Sequence, residues 1–134
     1  SGTLLVNVNW VKQTPAAMFA QVDSGLNHLI RPMMYDAYHH IINVSNPGGQ
    51  ARMYNVTGYI CETDNFARGR EISEIRRGDT LAILNAGAYG YMMSSNYNSR
   101  FRPAEVMVKD GRDYLISRRE ELADLLATQV DAGC

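Results

Sequence analysis

Cysteine is scarce in this chain of 134 residues: Cys61 and Cys134 are the two it has, too few for a disulfide framework. Charge of one sign is lacking as well. Thirteen basic and 14 acidic residues leave a net charge of -1, which removes the usual electrostatic basis for nucleic-acid binding. No apolar run approaches the ~20 residues of a membrane span, and the N-terminus lacks the charged and apolar regions of a signal peptide. These absences lead us to expect a cytoplasmic protein that engages neither membrane nor nucleic acid. Internal repeats and low-complexity segments are also missing. With 46% apolar and 20% charged residues, the composition is that of one globular domain spanning 1–134, able to bury a core.

Short extended pieces fill most of the chain, separated by turn signals at Asn46-Pro-Gly-Gly49, Arg77-Gly78-Asp79 and Asp110-Gly111. Thr3 to Val11, Met18 to Val22, Arg52 to Ile60 and Thr80 to Leu84 carry the β-branched and aliphatic residues of strands. Glu105–Val108 and Asp113–Ile116 flank Asp-Gly, whose residues suit the positive φ angles of a tight hairpin turn. Ser117 and Glu120 have capping-box spacing ahead of Leu122, Leu125 and Leu126, which predicts a helix over 118–128. A second helical segment near residues 32–38 is consistent with Pro32 opening a helix after Arg31. Several strands at short spacing with little helix define the expected fold class: all-β, a Greek-key β-barrel or sandwich.

Three segments carry chemistry. Asn85 to Glu105 follows an apolar strand with glycine, tyrosine, asparagine and arginine in place of aliphatic bulk. Gly87 and Gly90 allow close backbone approach, and Tyr89, Tyr91 and Tyr97 present hydroxyls on rigid rings. The run is either a cradle for an anionic, polar ligand or a glycine-rich turn. In Asp23 to His39, Arg31 and Tyr35 are four residues apart and share a face on a helical turn. They form either a carboxylate clamp or a surface ion-pair partner beside a core-covering phenol. In Gly58 to Asp64, Cys61 lies beside Glu62 and near Asp64; neighbouring carboxylates disfavour a thiolate, so the segment taken alone reads as carrying a buried structural cysteine rather than a reactive one. Adjacent His39 and His40 point to opposite faces in extended backbone and do not make a metal pair. Arg77-Gly78-Asp79 reads as a turn leading into a strand. Arg68, Arg70, Arg76 and Arg77, interleaved with Glu71 and Glu74, read as a solvated face.

Taken in order, Gly25-Leu-Asn-His-Leu-Ile-Arg-Pro-Met-Met-Tyr35, Cys61-Glu62 with Asp64, Ala86-Gly-Ala-Tyr-Gly90, Ser94-Ser-Asn-Tyr-Asn-Ser-Arg100 and Arg102-Pro-Ala-Glu105 resemble the C-terminal domain of the diaminopimelate decarboxylases. These are pyridoxal-phosphate enzymes of the alanine racemase/ornithine decarboxylase fold type. The resemblance runs over about residues 3 to 130. It departs at Thr63-Asp64, where many members carry an extra residue between Glu and Asp.

The resemblance implies a decarboxylase that turns meso-diaminopimelate into L-lysine and carbon dioxide with pyridoxal 5'-phosphate. It implies that Arg31 clamps a substrate carboxylate with Tyr35 beside it, and that Glu62 recognises the distal amine. Cys61 would be the catalytic cysteine that manages proton delivery, and Tyr89 a phosphate or cofactor contact. It further implies a homodimer in which Cys61 and Glu62 act in trans, and an N-terminal β/α barrel that brings the Schiff-base lysine. Lys12 and Lys109 are the lysines of this chain, and neither has a cofactor-lysine context. The chain is therefore expected to be a domain separated from its barrel, inactive alone and without bound cofactor. Related decarboxylases of arginine, ornithine or carboxynorspermidine, or a β-barrel used only for binding or assembly, are the alternatives. Arg31, Cys61, Glu62 and Tyr89 should gather along one rim, although Cys61 and Glu62 need not touch the others within one chain.

Overall fold

Apolar side chains at alternate positions of the first strands decide which way the sheet faces. In the computed structural model, which describes residues 2–134, β1 (Thr3–Gln13) buries Val6 and Val8 while Leu5 and Asn7 face outward. Ala20 and Val22 are buried in β2 (Met18–Val22), and Tyr54 and Val56 in β4 (Ala51–Thr57). This period-2 pattern is that of strands with one face on a core. Burying each Val or Ile contributes about 1.5–3 kcal/mol before conformational entropy is subtracted. The other elements up to Ser94 are α1 (Arg31–Tyr35), β3 (Ile41–Asn43), β5 (Asn65–Ser73) and β6 (Thr80–Leu84).

The six strands form one sheet in the order β3-β6-β1-β2-β4-β5. Every neighbouring pair is antiparallel except β2 and β4, which run parallel from Met18 opposite Tyr54 to Gln21 opposite Thr57. The two edge strands, β3 and β5, come back alongside one another. Side chains fasten that seam. The Arg70 guanidinium donates to the His39 carbonyl at 2.7 Å, and the Asn43 amide donates to the Glu74 carbonyl at 2.9 Å. The sheet is thus a nearly closed barrel, and the all-β expectation holds.

Strand directions place the loops. β1 is antiparallel to both β2 and β6, and β2 is parallel to β4, so β2, β4 and β6 all point the same way. Their C-terminal ends therefore open at one end of the barrel. The loops that leave there are those following Val22, Thr57 and Leu84.

The expected strand boundaries at Met18–Val22 and Thr80–Leu84 are the observed ones. The strand expected over Arg52 to Ile60 ends earlier, at Thr57, because Gly58 turns back and donates its N–H to the Asp64 carbonyl at 2.7 Å. β3 and β5 were not anticipated. β3 has only three residues, and β5 carries Arg68, Arg70 and Glu71, the charges that blunt an edge strand. Arg70, read from the sequence as part of a solvated face, is tied down instead: it donates to His39 and stacks over the Tyr38 ring at 4.0 Å. The Arg77-Gly78-Asp79 turn does lead into β6. Asp79 is buried, accepting from the Arg76 N–H at 2.9 Å and the Asn43 amide at 2.8 Å. Burial alone would raise its pKa, but the Asn43 amide and the Arg76 N–H and charge hold it below the ordinary value.

Ser95–Cys134 forms a second compact unit. The hairpin is present as β7 (Glu105–Lys109) and β8 (Arg112–Ser117), and Asp110 and Gly111 at its turn have φ of 53° and 74°. The helix is shorter than expected, α2 (Leu122–Leu126), and starts later. Its first turn is closed by Asp124, which accepts from the Glu121 N–H at 2.8 Å. Ser117 ends β8 and donates to the Glu105 carboxylate at 2.6 Å. Glu120 binds elsewhere: it accepts from the Arg102 N–H at 2.7 Å, the Arg102 guanidinium at 3.0 Å and the Asn96 amide at 2.6 Å. The box at Ser117 and Glu120 fails because both side chains are drawn into partners distant in sequence.

Tyr54→Phe removes the hydroxyl that accepts from the buried Ile75 N–H at 2.9 Å, and urea titration should show a loss of about 1–3 kcal/mol for the orphaned donor. Burial opposes ionisation of Glu120, but its bonds to Arg102 and Asn96 prevail and lower its pKa below the ordinary 4.5. Its stabilising effect is therefore complete above that value and disappears as pH falls through the lower folded pKa. An NMR titration should show the Arg102 amide resonance holding its position until pH is below 4.5, then moving; Glu120→Gln should abolish the step.

Candidate functional site

The loop after β2 turns at Gly25, whose carbonyl accepts from the His28 N–H at 2.9 Å and the Leu29 N–H at 3.3 Å. Leu29, fully buried, anchors it. α1 then begins, with Pro32 in its first turn as expected, and Arg31 and Tyr35 lie one turn apart on it. The helix stops at Asp36, which adopts the left-handed conformation at φ 53°. The Tyr35 phenol is 60% exposed.

Tyr89 sits in the loop after β6 with φ 58°, a left-handed conformation uncommon for a bulky residue. Such conformations persist where the surroundings impose them and cluster at ligand sites. The backbone is close-packed at the next residue, where a Cβ at Gly90 would overlap the Ala86 carbonyl oxygen. The phenol is 64% exposed, and the Arg31 guanidinium lies over its ring, 5.8 Å from the centroid. Residues from two segments remote in sequence thus meet as a cation beside an aromatic face. Arg31, Tyr35 and Tyr89 together present one positive charge and two exposed hydroxyls.

The loop after β4 carries Cys61 and Glu62, both exposed, with the Cys61 thiol donating to the Glu62 carboxylate at 3.4 Å. Its anchor is Asp64, one of the buried polar residues. The Asp64 carboxylate accepts from the Ile60 N–H at 2.9 Å and, across to the other loop, from the Leu26 N–H at 2.8 Å. Burial pushes this carboxyl above its ordinary pKa, aided by the Glu62 charge, against the opposing pull of those two N–H bonds. Cys61–Glu62 and Arg31–Tyr89 therefore form two separate contacts on loops at one end of the barrel.

Sequence reasoning missed the anchoring role of Asp64 and a cavity of about 410 Å³ between α1 and β5. Met33, Tyr38, Phe66 and Arg70 line that cavity, as does Thr63, the residue after Glu62. No local signal marked that role of Asp64, since its bond to Leu26 spans 38 residues. His39 is buried with Nδ1 2.9 Å from the Leu84 carbonyl, while His40 is exposed with Nδ1 3.3 Å from the Tyr38 hydroxyl. They are not a metal pair. Among the described residues no group of three or more His, Cys, Asp or Glu side chains could hold a metal, and no helix is long and apolar enough to cross a membrane.

A nearly closed β-barrel whose loops hold an arginine against a tyrosine at one end defines the class, an all-β domain with polar side chains on its end loops. Residues 1–87 match the family model of the pyridoxal-dependent decarboxylase C-terminal sheet domain, and the chain belongs to that family. Over 128 residues it is 48% identical to the diaminopimelate decarboxylase of Methanothermobacter thermautotrophicus, covering 94% of this chain and 30% of that protein. Its identity to the diaminopimelate decarboxylase of Aquifex aeolicus is 45%, covering 98% and 31%. The crystal structure of the M. jannaschii diaminopimelate decarboxylase in co-complex with L-lysine superposes with TM-score 0.89 at 39% identity, covering 98% of this chain and 30% of that one. The chain spans about a third of the length of the curated relatives it matches.

The geometry makes Gly90 a sensitive point. Gly90→Ala should displace the loop from Ala86 at about 1–3 kcal/mol, the usual penalty of overpacking. NMR should then show the Arg31 guanidinium signals losing the ring-current shift that Tyr89 imposes.

Proposed function

We propose that the chain is the C-terminal domain of a diaminopimelate decarboxylase, which releases carbon dioxide from meso-diaminopimelate to leave L-lysine. The observation that carries this reading is the Arg31–Tyr89 contact, with Tyr35 one turn along the same helix. A guanidinium flanked by two phenols suits a carboxylate and a phosphate held side by side. Sequence identity of 41% or more to diaminopimelate decarboxylases over nearly the whole chain supports that substrate over arginine, ornithine or carboxynorspermidine.

Each residue has a role in this reading. Arg31 binds the substrate carboxylate through paired N–H donors, and the Tyr35 hydroxyl adds a hydrogen bond beside it. The Tyr89 hydroxyl donates to the cofactor phosphate; the exposure of that phenol beside a positive charge fits an anion there. Pyridoxal 5'-phosphate, when bound, supplies the electron-accepting ring that lets the carboxylate depart. Glu62 accepts from the distal ammonium of the substrate. The Cys61 thiol, already a donor toward Glu62, delivers its proton to the α-carbon from which carbon dioxide has left. Lys12 lies in β1 and Lys109 ends β7, so the covalent tether of the cofactor is assigned to the remainder of the enzyme, an N-terminal β/α barrel. The reading includes a cytoplasmic homodimer in which Cys61 and Glu62 serve the partner's active site.

The test is carbon dioxide release by the full-length protein with meso-diaminopimelate, ornithine, arginine and carboxynorspermidine. Preference for any substrate but the first overturns the reading. Arg31→Lys should raise KM roughly 10- to 100-fold, the loss of a charge-assisted hydrogen bond. Cys61→Ser should lower kcat with little change in KM, as expected for a group acting after the substrate is bound.

A further inference from the structure

Asp64 is an ionisable residue that the proposed chemistry does not use, yet it is only 4% exposed. A buried carboxylate is costly unless its oxygens are satisfied. Here one oxygen accepts from the Ile60 N–H at 2.9 Å, inside the loop that carries Cys61 and Glu62. The other accepts from the Leu26 N–H at 2.8 Å, in the loop that delivers Arg31. The backbone carbonyl of Asp64 takes the Gly58 N–H at 2.7 Å, so one residue closes its own loop and ties it to the next.

The surroundings are built for that carboxylate. A Cβ at Gly58 would overlap it, and a Cβ at Gly25 would stand 2.7 Å from it. Further bonds stitch the same two loops: the Tyr59 N–H donates to the Ser24 carbonyl at 3.0 Å, and the Tyr59 hydroxyl donates to Asn27 Oδ1 at 3.1 Å. Closing a single loop needs one acceptor. Holding two loops in register needs one group that accepts from both, and a carboxylate with two equivalent oxygens does so.

We propose that Asp64 is a positioning residue that sets where Cys61 and Glu62 stand relative to Arg31. What those groups do rests on the decarboxylase reading, whereas the joint itself does not. An asparagine at this position keeps one acceptor and turns the other toward an N–H as an amide donor. The bond to one loop must then break.

The experiment uses the full chain carrying Cys134→Ser, with a nitroxide on Cys61. Asp64→Asn should narrow the nitroxide's electron paramagnetic resonance lines and cut amide-exchange protection at Leu26 or Ile60 roughly tenfold, the loss of one charge-assisted hydrogen bond. Asp79→Asn is the control, since Asp79 is also buried and bonded but precedes β6, away from these loops. At a matched loss of urea stability it should leave the line shape and those two amides unchanged. Equal responses of the nitroxide and the two amides to both substitutions would overturn the proposal, leaving Asp64 a general stabiliser. Should Asp64→Asn fail to fold, the unsubstituted chain decides. Leu26 and Ile60 amides should exchange together, at one free energy below that of global unfolding; an unprotected Leu26 amide would overturn the joint. Failure here leaves the substrate panel of the full-length protein untouched, and failure of that panel leaves the joint intact.

Discussion

The parallel pairing of β2 with β4 is the constraint on which the rest of this domain depends. All other neighbouring strands are antiparallel, so this one pair sets β4 in the same direction as β2 and β6. Because of it, the loops bearing Arg31, Cys61 and Tyr89 leave the same end of the barrel. Were β4 antiparallel to β2, the loop with Cys61 and Glu62 would emerge at the opposite end. The ladder costs nothing unusual for this, since a parallel pair is only slightly less stable per residue than an antiparallel one. Its requirement is a long crossover, and the chain from Asp23 to Gln50 supplies it while carrying α1 and β3.

Closure of the sheet and fixation of the loops use different interactions. The core is apolar and alternates along β1, β2 and β4, while the β3–β5 seam relies on Arg70 and Asn43 reaching backbone carbonyls. At the loop end the stabilising groups are polar and buried: Asp64, Ser24 and Asn27. Polar joints specify one geometry more narrowly than apolar packing, because a displaced donor loses its partner outright. Tyr89 has a left-handed backbone and is followed by a glycine pressed against a carbonyl.

Much of this was legible in the residues. Runs of β-branched and aliphatic residues disclosed β1, β2, β4 and β6, and Asp110-Gly111 disclosed the hairpin turn. Pro32 marked the start of α1. The gathering of the site loops at one rim was also expected. What could not be read were β3 and β5, whose charge or brevity hides them and whose existence depends on neighbours. The capping box at Ser117 was misread because the partners of Ser117 and Glu120, namely Glu105 and Arg102, come from distant positions. Asp64 was visible as a neighbour of Cys61, but its tie to Leu26 spans 38 residues and has no local signature.

Residue types alone made the all-β class readable, through short strand-forming runs at close spacing with little helix, and the family, through the order of the polar segments. They also determined which side chains are chemically capable, since residue type sets charge, donors and acceptors. Only the tertiary structure decided which of them meet. The Arg31–Tyr89 contact and the Asp64 joint each connect segments that local preference cannot relate. They arise when strand pairing brings three loop ends together and, for Asp64, when burial requires a partner for each carboxylate oxygen.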